Sequence, residues 1–117
     1  MAKKKIKIER ELVLEAALFA LAVTAVSTLY RNNILLTSVM VAGWMVAIKF
    51  WHRKEDIHLF LIAAIAGAFA EVIAIKFGAW KYANPTVLGV PIWLPLLWGS
   101  AVIFIKRVAE TFTRLVK

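Results

Sequence analysis

The chain has 117 residues, 62% of them hydrophobic, a mean hydropathy of +0.79 and a formal charge of +8. Soluble domains lie nearer half apolar, so an excess gathered into long runs points to lipid as the solvent. Zero cysteines exclude disulfides, thiolate metal sites and a thiol nucleophile. The basic residues flank apolar runs, which makes anionic lipid headgroups, and no nucleic acid, the expected partner.

One transmembrane domain covering residues 1–117 is expected. Four spans of about 20 residues leave room only for short loops and basic tails. The start, Lys3-Lys4-Lys5-Ile6-Lys7, resembles the charged region of a signal peptide. The apolar run behind it has full span length and no convincing small-residue cleavage site, so it reads as a retained helix. That first helix runs from about Leu12 to Tyr30 and carries Glu15 near its start. Arg31-Asn32-Asn33 is a polar turn. The second helix runs from about Ile34 to Trp51, with Lys49 near its end. His52 to Asp56 forms a charged loop. The third helix runs from about Ile57 to Phe77 and carries Glu71. Residues 78–89 are rich in Gly, Pro, Asn and aromatics, which are turn formers. The fourth helix runs from about Val90 to Ile105. Lys106 to Lys117 follows as an amphipathic tail, because Val108, Phe112 and Leu115 recur at helical spacing.

Charge sets the orientation. Twelve basic residues fall on the side of the two tails and the second loop; Arg31, Lys76 and Lys81 fall on the other. The expected fold is therefore an all-α, integral membrane four-helix bundle in the cell membrane. It is multi-pass, with both termini cytoplasmic.

Glu71 is the most informative residue. It lies two-thirds along the third helix, where an ionised, unpaired carboxylate is costly. Ala63, Gly67 and Glu71 are spaced four apart and share a face. Ala64, Ala74 and Gly78 border it, and small residues allow close helix approach. Glu71 is expected to point into the bundle, either as a structural hydrogen-bonding acid or in a substrate or proton role. Glu15 and Lys49 both fall near the cytoplasmic edge and are expected to form a structural ion pair. The bland alternative is that each snorkels separately to the headgroups.

The segment from Gly78 to Trp98 combines Trp80, Tyr82, Trp93 and Trp98 with Pro85, Pro91 and Pro95. Interfacial anchoring is the ordinary role of Trp80 and Tyr82. Pro91 is harmless in a first helical turn. Pro95, inside a helix starting at Val90, is expected to kink it and free a backbone carbonyl. The kink is expected to place Trp98 against a polar pocket between the third and fourth helices. Tyr82 and Asn84 add hydrogen-bonding groups at its mouth. His52 and His58 read as interfacial and solvated. No metal site is supported, no cofactor is expected, and Ser27, Ser38 and Ser100 lack an evident base.

Glu71, then Gly78-x-Trp80-x-Tyr82, then Gly89-Val-Pro-x-x-x-Pro-Leu-x-Trp98, resembles the signature region of carotenoid-biosynthesis membrane proteins. These include the bisanhydrobacterioruberin/lycopene hydratase-like enzymes. The resemblance covers about Glu71 to Trp98, a quarter of the chain. It implies that Glu71 is a catalytic general acid protonating a polyene end. It also implies that Tyr82 and the Trp rings line an apolar slot and stabilise developing positive charge. The chain departs from that family in its shorter length, its fewer spans and the absence of a second Tyr-rich portion.

With what the resemblance implies, the expected function is binding or modification of a long apolar isoprenoid-type lipid in a pocket between the third and fourth helices, with catalysis left open. The alternatives are a small four-helix transporter, which would depend on Glu15, or a non-catalytic scaffold in a membrane complex. A homo-oligomer and a complex subunit both remain open as partner states.

Overall fold

The computed structural model describes residues 2–51 and 54–116, except the side chains of Phe50 and Trp51. The expected loop residues His52 and Arg53, and the tail residue Lys117, lie outside the described residues. Within them the fold is all-α: α1 (Ala2–Leu29), α2 (Asn33–Trp51), α3 (Lys54–Lys76) and α4 (Leu94–Val116). Two of these, α1 and α3, are long and apolar enough to cross a membrane. The apolar part of α2, Asn33–Lys49, is shorter.

The helix ends follow from local chemistry. Asn32 caps α2: its Oδ1 accepts from the Leu35 N–H at 3.0 Å, satisfying a first-turn donor that has no intrahelical partner. At the end of α3, Gly78 adopts a left-handed φ of 82°. The Ala79 N–H then reaches the Ala74 carbonyl at 3.0 Å and the Gly78 N–H reaches Ile75 at 3.0 Å. That paired geometry closes the helix, and it suits glycine because no Cβ opposes the left-handed backbone.

Three boundaries differ from the sequence expectation: α3 starts at Lys54, three residues before Ile57, so Lys54, Glu55 and Asp56 of the expected loop are helical, and the starts of α1 and of the fourth helix also move. α1 starts ten residues earlier than Leu12. Lys, Ile and Glu tolerate a helix, and Ile8 is 4% exposed, so tertiary packing extends the helix beyond its apolar stretch. The fourth helix starts at Leu94, four residues later than expected, and continues without a break through the expected tail. Trp93 supplies the carbonyl for the Leu97 N–H at 3.1 Å. Pro95 is therefore the second helical residue, where its missing N–H has no partner to lose. The expected interior kink at Pro95 is replaced by a helix start.

α4 packs against each of the other three helices and most extensively against α3. Phe19 stacks on Phe104 with ring centroids 5.4 Å apart, joining α1 to α4. Trp44 meets Phe60 at 5.1 Å, joining α2 to α3. The α3 face turned inward comprises Asp56, Phe60, Ala63, Ala64, Gly67 and Glu71, a spacing of three and four. Glycines permit the close approach: a Cβ on Gly67 would lie 2.2 Å from the Trp98 ring, and one on Gly99 would lie 2.6 Å from Phe60.

The best-buried core sits at one end of the bundle, where Leu36, Val90, Trp93 and Leu94 cluster. The α3–α4 connection folds back into that end. Its tip is a tight turn in which Val87 and Val90 exchange backbone hydrogen bonds of 2.9 and 3.1 Å. Leu88 and Gly89 both have positive φ there, 52° and 85°, as a type I′ turn requires. Gly89 is also held against α3, since a Cβ would meet Ile75 at 2.8 Å.

Candidate functional site

Glu71 is 8% exposed and lies on the inward face of α3. Both of its oxygens accept hydrogen bonds from indoles. Trp80 Nε1 donates to Oε2 at 2.6 Å and Trp98 Nε1 donates to Oε1 at 3.3 Å. Trp80 comes from the segment after Gly78 and Trp98 from α4, so one carboxyl fastens the connection and α4 onto α3. Trp98 reaches it because Gly67, one turn earlier, leaves room for the ring. Two acceptor oxygens facing two N–H donors are matched in number and sense. This is the arrangement of an acid that positions aromatic rings. Burial, with the neighbouring Glu71 carboxylate second, pushes the Tyr82 phenol up to about 12.

Trp93 and Asn84 belong to a second cluster, centred on Asn33. Trp93 Nε1 donates to Asn33 Oδ1 at 3.1 Å. Asn33 Nδ2 donates to the Asn84 carbonyl and to Thr86 Oγ1, both at 2.8 Å. Asn84 Nδ2 in turn donates to the Arg31 carbonyl at 2.9 Å. These bonds staple the α3–α4 connection to the α1–α2 turn. Tyr82 bridges the two clusters, its ring edge-on to Trp93 at 6.2 Å. Asn33 and Thr86 escape sequence reasoning. The adjacent Asn32-Asn33 pair reads as a turn, and the 53-residue separation from Thr86 leaves no local signal.

Beside this cluster lies an open cleft of about 410 Å³, lined by Val26, Ser27, Tyr30, Tyr82, Asn84 and Trp93 among others. It lies between α1 and the α3–α4 connection. The pocket was expected between the third and fourth helices, where Trp98 packs tightly against Gly67. Of the expected ligand-binding residues, Tyr82, Asn84 and Trp93 line the cleft. Trp80, Trp98 and Glu71 are not among its lining residues.

The opposite end carries a charged network. Asp56, 5% exposed, accepts from Lys106 Nζ and Arg107, each at 2.7 Å. Lys106 also lies 3.6 Å from Glu55 and 3.8 Å from Glu110. Arg114 pairs with Glu11 across α1 and α4. Glu15 turns to α4 rather than to α2: its Oε1 accepts from Thr111 Oγ1 at 2.8 Å. The structure thus gives Glu15 a partner on α4 where an ion pair with Lys49 is expected. Lys49 is exposed near the end of α2. Among the described residues no cluster of His, Asp or Glu has the make-up to hold a metal. His58 is exposed on α3. Comparison with protein families, with curated proteins and with solved structures finds no match.

Glu71→Gln tests the carboxyl as an organiser. An amide nitrogen must then face an indole N–H, so one hydrogen bond is lost, at about 1–3 kcal/mol. Tyr82 also loses its charged neighbour. Its titration, followed by tyrosinate absorbance, is expected to move from about 12 toward the ordinary 10.0 while Trp fluorescence shifts. Because burial disfavours the phenolate, the fold is expected to lose stability as pH rises from 10.0 through about 12. An unchanged titration in the variant would remove Glu71 as a cause.

Proposed function

We propose that this chain is a multi-pass membrane protein, both termini cytoplasmic, that binds a long apolar lipid of isoprenoid type by its head in the cleft. The observation that carries this reading is the cleft itself. Val26, Pro91 and Trp93 give it apolar walls, and Ser27, Tyr30, Tyr82 and Asn84 give it a few polar groups. A concave, mainly apolar site with sparse polar groups is the common form of a small-ligand site.

The exposed residues support the membrane setting. Val13 is 70% exposed, Ile34 80%, Ile65 72% and Phe77 83%, and these stand on three different helices or their ends. In water such a surface would associate; in lipid it is the ordinary exterior of a span. The positive residues gathered where the two termini lie support a cytoplasmic location for that end. The resemblance over residues 71–98 supports an isoprenoid tail. The two indole bonds on Glu71 favour binding over proton transfer, because they engage both oxygens.

The test uses the intact protein in phosphatidylcholine nanodiscs with a C40 polyene as quencher of Trp fluorescence. Saturable quenching is expected. Ser27→Phe, which fills the cleft from α1, is expected to weaken it by about tenfold, equivalent to roughly 1.4 kcal/mol. Quenching that never saturates, or that Ser27→Phe leaves untouched, would remove the cleft as the binding site.

A further inference from the structure

The charges are divided unevenly between the two ends of the bundle. Six of the seven acids, Glu9, Glu11, Glu15, Glu55, Asp56 and Glu110, lie toward the end that holds both termini. At the cleft end the acid is Glu71, buried and engaged by two indoles. Arg31, Lys76 and Lys81 are exposed there.

Arg31 stands at the rim of the cleft. Its Nε donates to the Tyr30 hydroxyl at 3.1 Å, and its guanidinium lies 5.5 Å from the centre of the Tyr30 ring. Its carbonyl accepts from Asn84. Tyr30 and Asn84 both line the cleft. The guanidinium is therefore held by one lining residue, Tyr30, while Asn84 holds the Arg31 backbone, and among the described residues no carboxylate pairs with it. Its terminal amino groups keep the fork geometry that matches phosphate oxygens. Because its Nε occupies the Tyr30 oxygen as acceptor, the Tyr30 O–H can donate outward, beside the Ser27 hydroxyl. The C-terminal end of α1 opposes an anion at this place, and the N-terminal end of α2, starting at Asn33, offsets it.

We infer that the cleft takes a lipid with an anionic, phosphate-type head, held by Arg31 with the Tyr30 and Ser27 hydroxyls, while its apolar tail lies along the outside of α1. This rests on the lipid-binding reading and adds the charge of the head. The apolar residues Val23 and Phe19, 48% and 55% exposed, lie four and eight residues before Ser27 on the same face of α1 and offer the tail a path.

The experiment measures binding by native mass spectrometry in phosphatidylcholine nanodiscs. The probes are geranylgeranyl monophosphate, geranylgeraniol and inorganic phosphate. The monophosphate is expected to bind about tenfold or more tighter than the alcohol, the worth of one charge-assisted hydrogen bond. Added salt is expected to narrow that ratio. Arg31→Gln is expected to collapse it, and Arg31→Lys, which keeps the charge and loses the fork, to leave it intermediate. Thermal unfolding of both variants checks that the fold is intact. Equal binding of monophosphate and alcohol would overturn the anionic head and leave the lipid-binding reading standing. Binding of neither lipid would overturn both. Competition by inorganic phosphate at the same concentration as the lipid would overturn the lipid as the source of the phosphate.

Discussion

Gly67→Ala is expected to destabilise the protein, although alanine is the better helix former. In an exposed helix interior the exchange would stabilise by about 1 kcal/mol. Here the new Cβ would sit 2.2 Å from the Trp98 ring, well inside contact distance. The ring is not a flexible end that can swing away: its nitrogen is bonded to Glu71 and its body is wedged between α3 and α4. Either the helices separate or Trp98 leaves Glu71. Overpacking of this kind costs about 1–3 kcal/mol, so the net sign is a loss. Denaturant unfolding in detergent, followed by Trp emission, reads both the stability and the environment of the indole. A Gly67→Ala protein as stable as the parent would show that α3 and α4 are not in contact as described.

The second large effect is expected at the opposite end. Asp56→Ala leaves Lys106 and Arg107 facing each other without the acid that joins them. Loss of one partner from a fully buried ion pair costs about 3–5 kcal/mol. The Asp56 side chain is 8% exposed, but those of Lys106 and Arg107 are 28% and 24% exposed, so water screens the two cations, and Lys106 keeps Glu55 and Glu110 within 3.8 Å. A loss of about 2 kcal/mol is the expected size. The Asp56 hydrogen bond, opposed by partial desolvation and aided by the charges of Asp56, Glu55 and Glu110, raises the Lys106 ammonium above its ordinary 10.5. That contribution is complete below pH 10.5 and fades as pH rises through the folded value. The difference between parent and Asp56→Ala is therefore expected to narrow in strong alkali. Unfolding midpoints at neutral pH and above pH 11 measure it, and a gap that widens would contradict the assigned pairing.

The two ends of the bundle were legible to different degrees in the chain. The inward face of α3 could be read in part, because Ala63, Gly67 and Glu71 repeat at helical spacing; Asp56, expected in the loop, and Phe60 join that stripe only in the structure. The aromatic segment after Gly78 could be read as the neighbour of Glu71, since nine residues separate Trp80 from the acid it touches. The pairing of Asp56 with Lys106 and Arg107 could not. Those residues look like separate basic and acidic flanks when counted for orientation, and only the antiparallel packing of α3 on α4 brings them to 2.7 Å. Glu15 illustrates the same limit. The sequence expectation put it near a helix start, but α1 begins at Ala2 and leaves it mid-helix, and its bond to Thr111 depends on which helix lies beside α1.

Composition and periodicity by themselves determined that the chain is mainly helical, that two of its helices are long and apolar enough to cross a membrane and that Glu71 lies on the inward face of the third. These follow from local quantities: hydrophobic run length, residue spacing and the cost of an unpaired acid. The tertiary structure alone decided where α4 begins, and so that Pro95 starts a helix instead of bending one. It also decided that the cleft opens toward α1. Trp98 fills the gap above Gly67, and Asn33 ties the connection across to the first turn. The place of the cleft rests on contacts between residues 31 to 60 positions apart, which no local pattern encodes.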